Sequence, residues 1–129
     1  NVPLAIIDKR RGDDQAVEVM NVIGNVEGKT ALIVDDMIDT GGTLVRSIEA
    51  LLAKRAKKVY ACATHPVFAG KAIEKLIGSH VTKVVVTNSI PLSENAKPYK
   101  RIHVLSVGEL LAETIRSVHQ ESSVSRLFV

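Results

Sequence analysis

Short apolar runs alternate along this chain with amphipathic stretches, and brief polar connections join them. The alternation predicts an α/β domain, a doubly wound, mostly parallel sheet with helices on both faces and a right-handed crossover at each step. Two observations carry that expectation. The runs at 31–34, 58–64 and 83–87 are rich in aliphatic and β-branched residues with little alternation, the pattern of strands buried on both faces. The stretches that follow the first two repeat apolar residues at helical spacing. With 129 residues and 46% hydrophobic content, the chain fits one domain, 1–129, since domains commonly run ~100–150 residues.

Val2 to Ile7 reads as the first strand, and it enters the polar stretch Asp8 to Gln15, which has no hydrophobic anchor and is expected to be a mobile loop. Val17 to Asn25 alternates apolar with polar and resumes as a strand, so the N-terminal region should form a flexible hairpin-like flap. The three cations Lys9, Arg10 and Arg11 suit either a solvated loop or a loop that meets phosphate. Gly28 and Lys29 then turn the chain into the central strand.

ALIVDDMIDTGGTL, residues 31–44, is the stretch on which the rest is organised. The strand should end at Val34, where the carboxylates of Asp35 and Asp36 begin. Asp39, Thr40, Gly41, Gly42 and Thr43 form a loop of small and hydroxyl residues, and a helix follows that buries Leu44, Val45, Ile48, Leu51 and Leu52. A loop of this kind at a helix N-terminus offers backbone N–H groups, hydroxyls and the positive end of a dipole, which suits a phosphate monoester. Asp35 and Asp36 stand at the end of a buried strand, where uncompensated carboxylates are costly; a ligand or a metal explains them better than solvation. Ionised carboxylates only accept hydrogen bonds and so suit adjacent sugar hydroxyls. Together these features describe a sugar phosphate. Neither GxxxxGK[ST] nor GxGxxG occurs, which excludes the NTPase P-loop and the dinucleotide fingerprint.

Lys58 to Thr64 is the next buried strand, closed by His65 and Pro66. His65 reads as structural, with no partner visible in the sequence. The following helix should bury Ala69, Ala72, Ile73, Leu76 and Ile77 and end at Gly78. Lys83 to Thr87 is another parallel strand, with Asn88 just past its carboxyl end, the edge where open α/β sheets bind ligands. Asn88 suits either a sugar hydroxyl or the turn before Pro91. A polar loop from Leu92 to Lys100 leads to a last strand, Arg101 to Leu105. Ser106 and Glu109 then make a capping box for a helix burying Leu110, Leu111, Ile115 and Val118. The hydroxyl-rich end, Ser122 to Val129, is too short to be a core element by itself.

Composition narrows the function classes. Four aromatic residues and no Trp give little stacking surface for nucleic-acid bases. The net charge of +3 is modest, and Lys54–Lys58 reads as a solvated helix end. The single Cys62 reads as a buried small hydrophobe. No leader sequence and no apolar run of ~18 residues is visible, so neither nucleic acid nor membrane is expected as a partner, and a cytoplasmic protein is expected. A chain that starts at Asn1 without an initiator Met is expected to be part of something longer.

VDDMIDTGGT resembles the phosphoribosyl-diphosphate motif shared by the type I phosphoribosyltransferases and the ribose-phosphate diphosphokinases, or PRPP synthetases. IIDKRR, THP, VVTNSI and SVSRLF flank it in order, and together they resemble the C-terminal half of PRPP synthetase over essentially all 129 residues. The resemblance implies a type I phosphoribosyltransferase-like fold with the N-terminal half absent. It implies transfer of the diphosphoryl group of Mg-ATP to ribose 5-phosphate, giving PRPP and AMP, in the full-length parent; the isolated chain is expected to transfer nothing. Asp39, Thr40, Gly41, Gly42 and Thr43 would bind the 5-phosphate, Asp35 and Asp36 the ribose hydroxyls, and Asn88 would lie close by. Lys9 and Arg11 would be catalytic, closing over the transferring phosphates. Ser123, Ser125 and Phe128 would help bind an allosteric nucleotide or phosphate, with ADP or inorganic phosphate as effectors; Arg126 stands where many members have Tyr. Mg2+ would come with ATP, mainly through the absent half, no metal ligand being assigned here. A homo-oligomer is expected. Two alternatives share the loop: a small phosphoribosyltransferase, for whose base-recognition hood 129 residues with four aromatics leave little material, and a non-catalytic PRPP-binding regulatory subunit.

Overall fold

The structure, a computed structural model, describes residues 2–11 and 18–128, and the side chains of 9–20 also lie outside the described residues. Its elements in chain order are β1 (Ile6–Arg11), β2 (Glu18–Ile23), β3 (Thr30–Met37), α1 (Gly42–Ala53), β4 (Lys58–His65), α2 (Ala72–Gly78), β5 (Lys83–Thr87), β6 (Ile102–Leu105) and α3 (Gly108–His119), followed by a 3-10 turn at Ser125–Phe128. The α/β architecture with a parallel sheet is the one the sequence predicts; the expected helices on both faces are not found among the described residues, where α1 and α2 share one face and the other is open.

The four-stranded parallel sheet has the order β3-β4-β5-β6. Sequential order with right-handed crossovers places successive connections on one face, and here α1 and α2 share a core. Leu44, Ile48 and Leu51 of α1 meet Ala72, Ile73 and Leu76 of α2 over Val59, Ala61 and Ala63 of β4 and Val84 and Val86 of β5. Burying each large aliphatic side chain contributes on the order of 1.5–3 kcal/mol, which is why the period-2 strands and period-3.6 helices lock their inward faces together. The opposite sheet face is open among the described residues, with Leu32 61%, Val34 72% and Leu105 51% exposed.

Several sequence expectations shift. β1 is formed by 6–11, paired antiparallel with β2 from Ile6↔Ile23 to Arg11↔Glu18. The segment 8–11 expected in a loop is therefore on a ladder, because β2 offers partners that far; Gly12 to Gln15 lie outside the described residues. Val22 of β2 joins the core, tying the hairpin to α1. β3 runs on past Val34, because β4 continues to pair with it at Asp35↔Ala63 and Met37↔His65. Ile77 is 51% exposed, since α2 turns it away from the face that carries Ile73 and Leu76. In α3 the expected stripe forms but is not covered: Leu110, Leu111, Ile115 and Val118 are all exposed, and Ser117 is the buried residue. No capping box forms there. Val107 occupies the N-cap, and Ser106 Oγ instead accepts from the Gly108 N–H at 3.1 Å.

Candidate functional site

The carboxyl edge of β3 and the loop into α1 bring Asp35, Asp36, Asp39, Thr40, Gly41, Gly42 and Thr43 together. Each of the two strand carboxylates accepts from the N–H of the residue after it, Asp36 N to Asp35 Oδ1 at 2.9 Å and Met37 N to Asp36 Oδ1 at 2.7 Å. These local bonds use one oxygen of each and fix the side chains against the strand end. The remaining oxygens can accept from a ligand.

The loop is shaped by what happens to its carbonyls. The C=O of Ile38 accepts from the Phe68 N–H at 2.9 Å, that of Asp39 from the Ala69 N–H at 3.1 Å, that of Thr40 from Lys75 Nζ at 3.0 Å, and that of Gly41 from the Val45 N–H at 3.0 Å. All four are held within the protein. No cis peptide bond occurs among the described residues, and in a trans peptide C=O and N–H point in opposite directions. The N–H groups of Asp39, Thr40, Gly41 and Gly42 share those four peptide planes and are turned the other way. Among the described residues none of the four meets an acceptor. Gly41 makes the turn possible with φ 71 and is packed on Ala72 of α2, where a Cβ would meet the Ala72 backbone at 3.5 Å. α1 then starts without a side-chain cap and without an acidic residue in its first turn, so the positive end of its dipole is uncompensated by its own residues. Carbonyls held inward, amides outward and a helix N-terminus behind them are chemically suited to an anion.

Two cations that the sequence reading missed stand at this loop. Arg46 Nη1 comes within 3.7 Å, and Lys75 Nζ within 3.9 Å, of the place a Cβ on Gly42 would take. Arg46 could have been found from helical spacing, four residues after Gly42. Lys75 leaves no such signal, being 35 residues from Thr40.

The other predicted residues are placed apart from the loop. Asn88 is at the end of β5, two strands from β3 and so roughly 10 Å across the sheet at ~4.8 Å per strand. Its side chain is engaged: Oδ1 accepts from the Val107 N–H at 2.9 Å and Nδ2 donates to Ser106 Oγ at 3.4 Å, which fixes the β6–α3 connection. His65 acquires a partner, its Nδ1 lying 3.0 Å from Ser89 Oγ, while that hydroxyl donates to the Thr64 C=O. Lys9 and Arg11 lie on β1 opposite Met20 and Glu18; their side chains lie outside the described residues. Ser123, Ser125 and Phe128 are at the α3 end of the chain, where the Ser125 N–H donates to Ser123 Oγ at 3.2 Å and Phe128 is 76% exposed. Arg126 anchors that end, donating from Nη2 to the buried Ser117 Oγ at 3.1 Å. A depression of about 190 Å³ opens beside Asp35, lined by Val34, Cys62, Thr64, Val85 and Thr87 among others. A larger groove of about 740 Å³ lies between the N-terminal segment 2–7 and β3 and reaches Asp35. Cys62 is half-buried on the open sheet face and not in the core. Among the described residues no three His, Cys, Asp or Glu side chains converge where a metal ion could sit.

Comparison with known proteins gives one consistent result. The family described as the phosphoribosyl synthetase-associated domain matches residues 12–129. The chain is 54% identical over 126 residues to the ribose-phosphate pyrophosphokinase of Bacillus subtilis (strain 168), covering 98% of this chain and 39% of the relative. It is 52% identical over 128 residues to the enzyme of the same name from Gloeobacter violaceus, covering 99% of this chain and 38% of the relative. Among solved structures, the phosphoribosylpyrophosphate synthetase from Mycobacterium smegmatis matches with a TM-score of 0.84 and 40% identity over 94% of this chain and 38% of that one. The chain thus spans well under half the length of the relatives it matches. These matches do not support the expectation that it is specifically their C-terminal half.

Proposed function

Because the chain belongs to the phosphoribosyl synthetase-associated domain family, we propose that it is the ribose 5-phosphate- and PRPP-binding part of a ribose-phosphate pyrophosphokinase. The observation that carries this reading is the loop after β3, where four carbonyls are tied inward and four amides face outward at the N-terminus of α1. The 5-phosphate takes the amides and the hydroxyls of Thr40 and Thr43. Asp35 and Asp36 accept from the ribose hydroxyls at the neighbouring strand end, and Asn88 closes the same edge of the sheet. The bound sugar phosphate is thereby oriented with its anomeric end away from α1. Catalysis in the whole enzyme then rests on positioning and on positive charge brought to the transferring phosphates, a role we assign to Lys9 and Arg11 on β1. ATP enters with its own Mg2+ through the remainder of the longer protein. Ser123, Ser125 and Phe128, on the far side of α3, are proposed to take the phosphate of an effector, ADP or inorganic phosphate, in a homo-oligomer. A cytoplasmic location is proposed for the whole enzyme; among the described residues no helix is long and apolar enough to cross a membrane.

Calorimetric titration with ribose 5-phosphate tests the reading. Asp39→Asn combined with Thr43→Ala removes a hydroxyl donor and disturbs the loop. Charge-assisted bonds are worth ~1.5–3 kcal/mol each, so affinity should fall roughly tenfold or more. Equal affinity in the folded double variant would remove the loop from the phosphate site.

A further inference from the structure

We propose that Lys75 is a positioning residue of the phosphate loop, setting the direction of the Gly41 N–H through the Thr40 carbonyl; the proposal rests on the function proposed above. Of the four bonds that turn the loop carbonyls inward, three come from backbone N–H groups, of Phe68, Ala69 and Val45. The fourth, on Thr40, comes from a side chain, Lys75 Nζ at 3.0 Å. Thr40 C=O and Gly41 N–H belong to one planar peptide, so the lysine that draws the oxygen inward directs the hydrogen outward. The ammonium is fitted for this task. It is a compact charge with three donors, of which Thr40 takes one, and a charged donor holds a carbonyl more firmly than a neutral one.

α2 supplies two grips on the loop from a single face. Ala72 packs under Gly41, and Lys75, three residues later on the same side of the helix, reaches the Thr40 peptide. Gly41, with its φ of 71, is where the turn is free to rotate, since glycine has no Cβ to oppose other backbone angles. A peptide beside a glycine needs an external hold, and Lys75 is the one observed. Its position also places Nζ 3.9 Å from the Cβ point of Gly42, at the start of α1.

The test uses the full 129-residue chain, ribose 5-phosphate and inorganic phosphate as probes, and three variants. Lys75→Met keeps the aliphatic stem and removes donor and charge, Lys75→Gln keeps a neutral donor, and Lys75→Arg keeps both. Lys75→Met should weaken both probes roughly tenfold, the order of one hydrogen bond to a charged group, with the melting temperature little changed because the side chain lies at the surface. The Gly41 amide resonance should move in the ligand-free Lys75→Met protein and respond less to ribose 5-phosphate, and Lys75→Arg should restore both affinity and resonance. Restoration by Lys75→Gln as well supports orientation as the main effect; restoration by Arg alone adds charge to it. A folded Lys75→Met protein with wild-type affinity and an unmoved Gly41 amide overturns the proposal while leaving the phosphate loop intact. Failure of the wild-type chain itself to bind either probe overturns the underlying functional reading instead.

Discussion

Two adjacent glycines in the loop have different jobs. Gly41 needs its φ of 71, a left-handed value that costs other residues on the order of 1 kcal/mol, whereas a Cβ there would make only an ordinary contact with the Ala72 backbone at 3.5 Å. Gly42 has no such demand, since it is already the first residue of α1 and a Cβ would meet only the ends of Arg46 and Lys75 at 3.7 and 3.9 Å. Gly41→Ala should therefore lower the stability measured by urea unfolding by about 1 kcal/mol, whereas Gly42→Ala should leave it unchanged or raise it by up to about 1 kcal/mol. Equal losses at both positions would contradict this division. The pair was legible in the sequence as a turn; which glycine holds the left-handed angle was not, because that depends on the backbone path into α1. The acidic residues and the loop were legible as a contiguous motif, but the ground of a buried strand end fails, since Asp35 and Asp36 are exposed and no residue of β3 is buried. Lys75 and the Ser89 partner of His65 were not, since each reaches its target from a distant element.

At the scale of elements, sequence patterns located strands and helices well and their limits less well. β5 falls where its β-branched run lies, whereas β3 outruns its apolar segment because a partner strand keeps offering hydrogen bonds to Asp35 and Met37. α3 shows the other failure. Its periodic stripe foretold the helix, but periodicity cannot say what a stripe will face, and these side chains stay exposed. The connection between β5 and β6 is instead held by two polar side chains. Tyr99 Oη donates to the Leu76 C=O at 2.9 Å, and Arg101 Nη1 donates to the carbonyls of Ser79 and Val81 at 3.2 Å while its guanidinium lies over the Tyr99 ring. Burial raises the Tyr99 phenol above its ordinary pKa of 10.0, with the Arg101 charge and hydrogen bond pulling the other way. A raised folded value means that the neutral phenol is favoured by folding. Its contribution is complete below the unfolded value and fades as pH rises through the folded one. Urea midpoints should thus fall above about pH 10. Tyr99→Phe should cost about 1 kcal/mol at neutral pH and flatten that alkaline decline. A decline of the same steepness in Tyr99→Phe would place its origin elsewhere.

For the molecule as a whole, the hydrophobic core is built on one side of the sheet. Leu32, Val34 and Leu105 on the uncovered face, and Leu111, Ile115 and Val118 on α3, leave apolar surface in contact with water. Contiguous apolar surface of more than a few hundred Å² marks an interaction site, so the isolated chain should self-associate in sedimentation experiments, and Val34→Lys with Ile115→Lys should return it toward a monomer. A wild-type chain that sediments as a monomer at every accessible concentration would exclude this. The order β3-β4-β5-β6 has one more consequence. The strand that carries Asp35 and Asp36 is a margin of its sheet, laddered to β4 on one side and bordered on the other by the groove that separates it from segment 2–7. Margins breathe more than centres, because half their amides have no ladder partner to break. The two halves of the proposed binding site are thus mounted on unequal supports: the proposed phosphate end rests on a loop clamped by two helices, and the proposed sugar end on a strand braced from one side. On the function proposed above, a sugar phosphate would be gripped first by its phosphate, and its ring would settle afterwards as the margin stills.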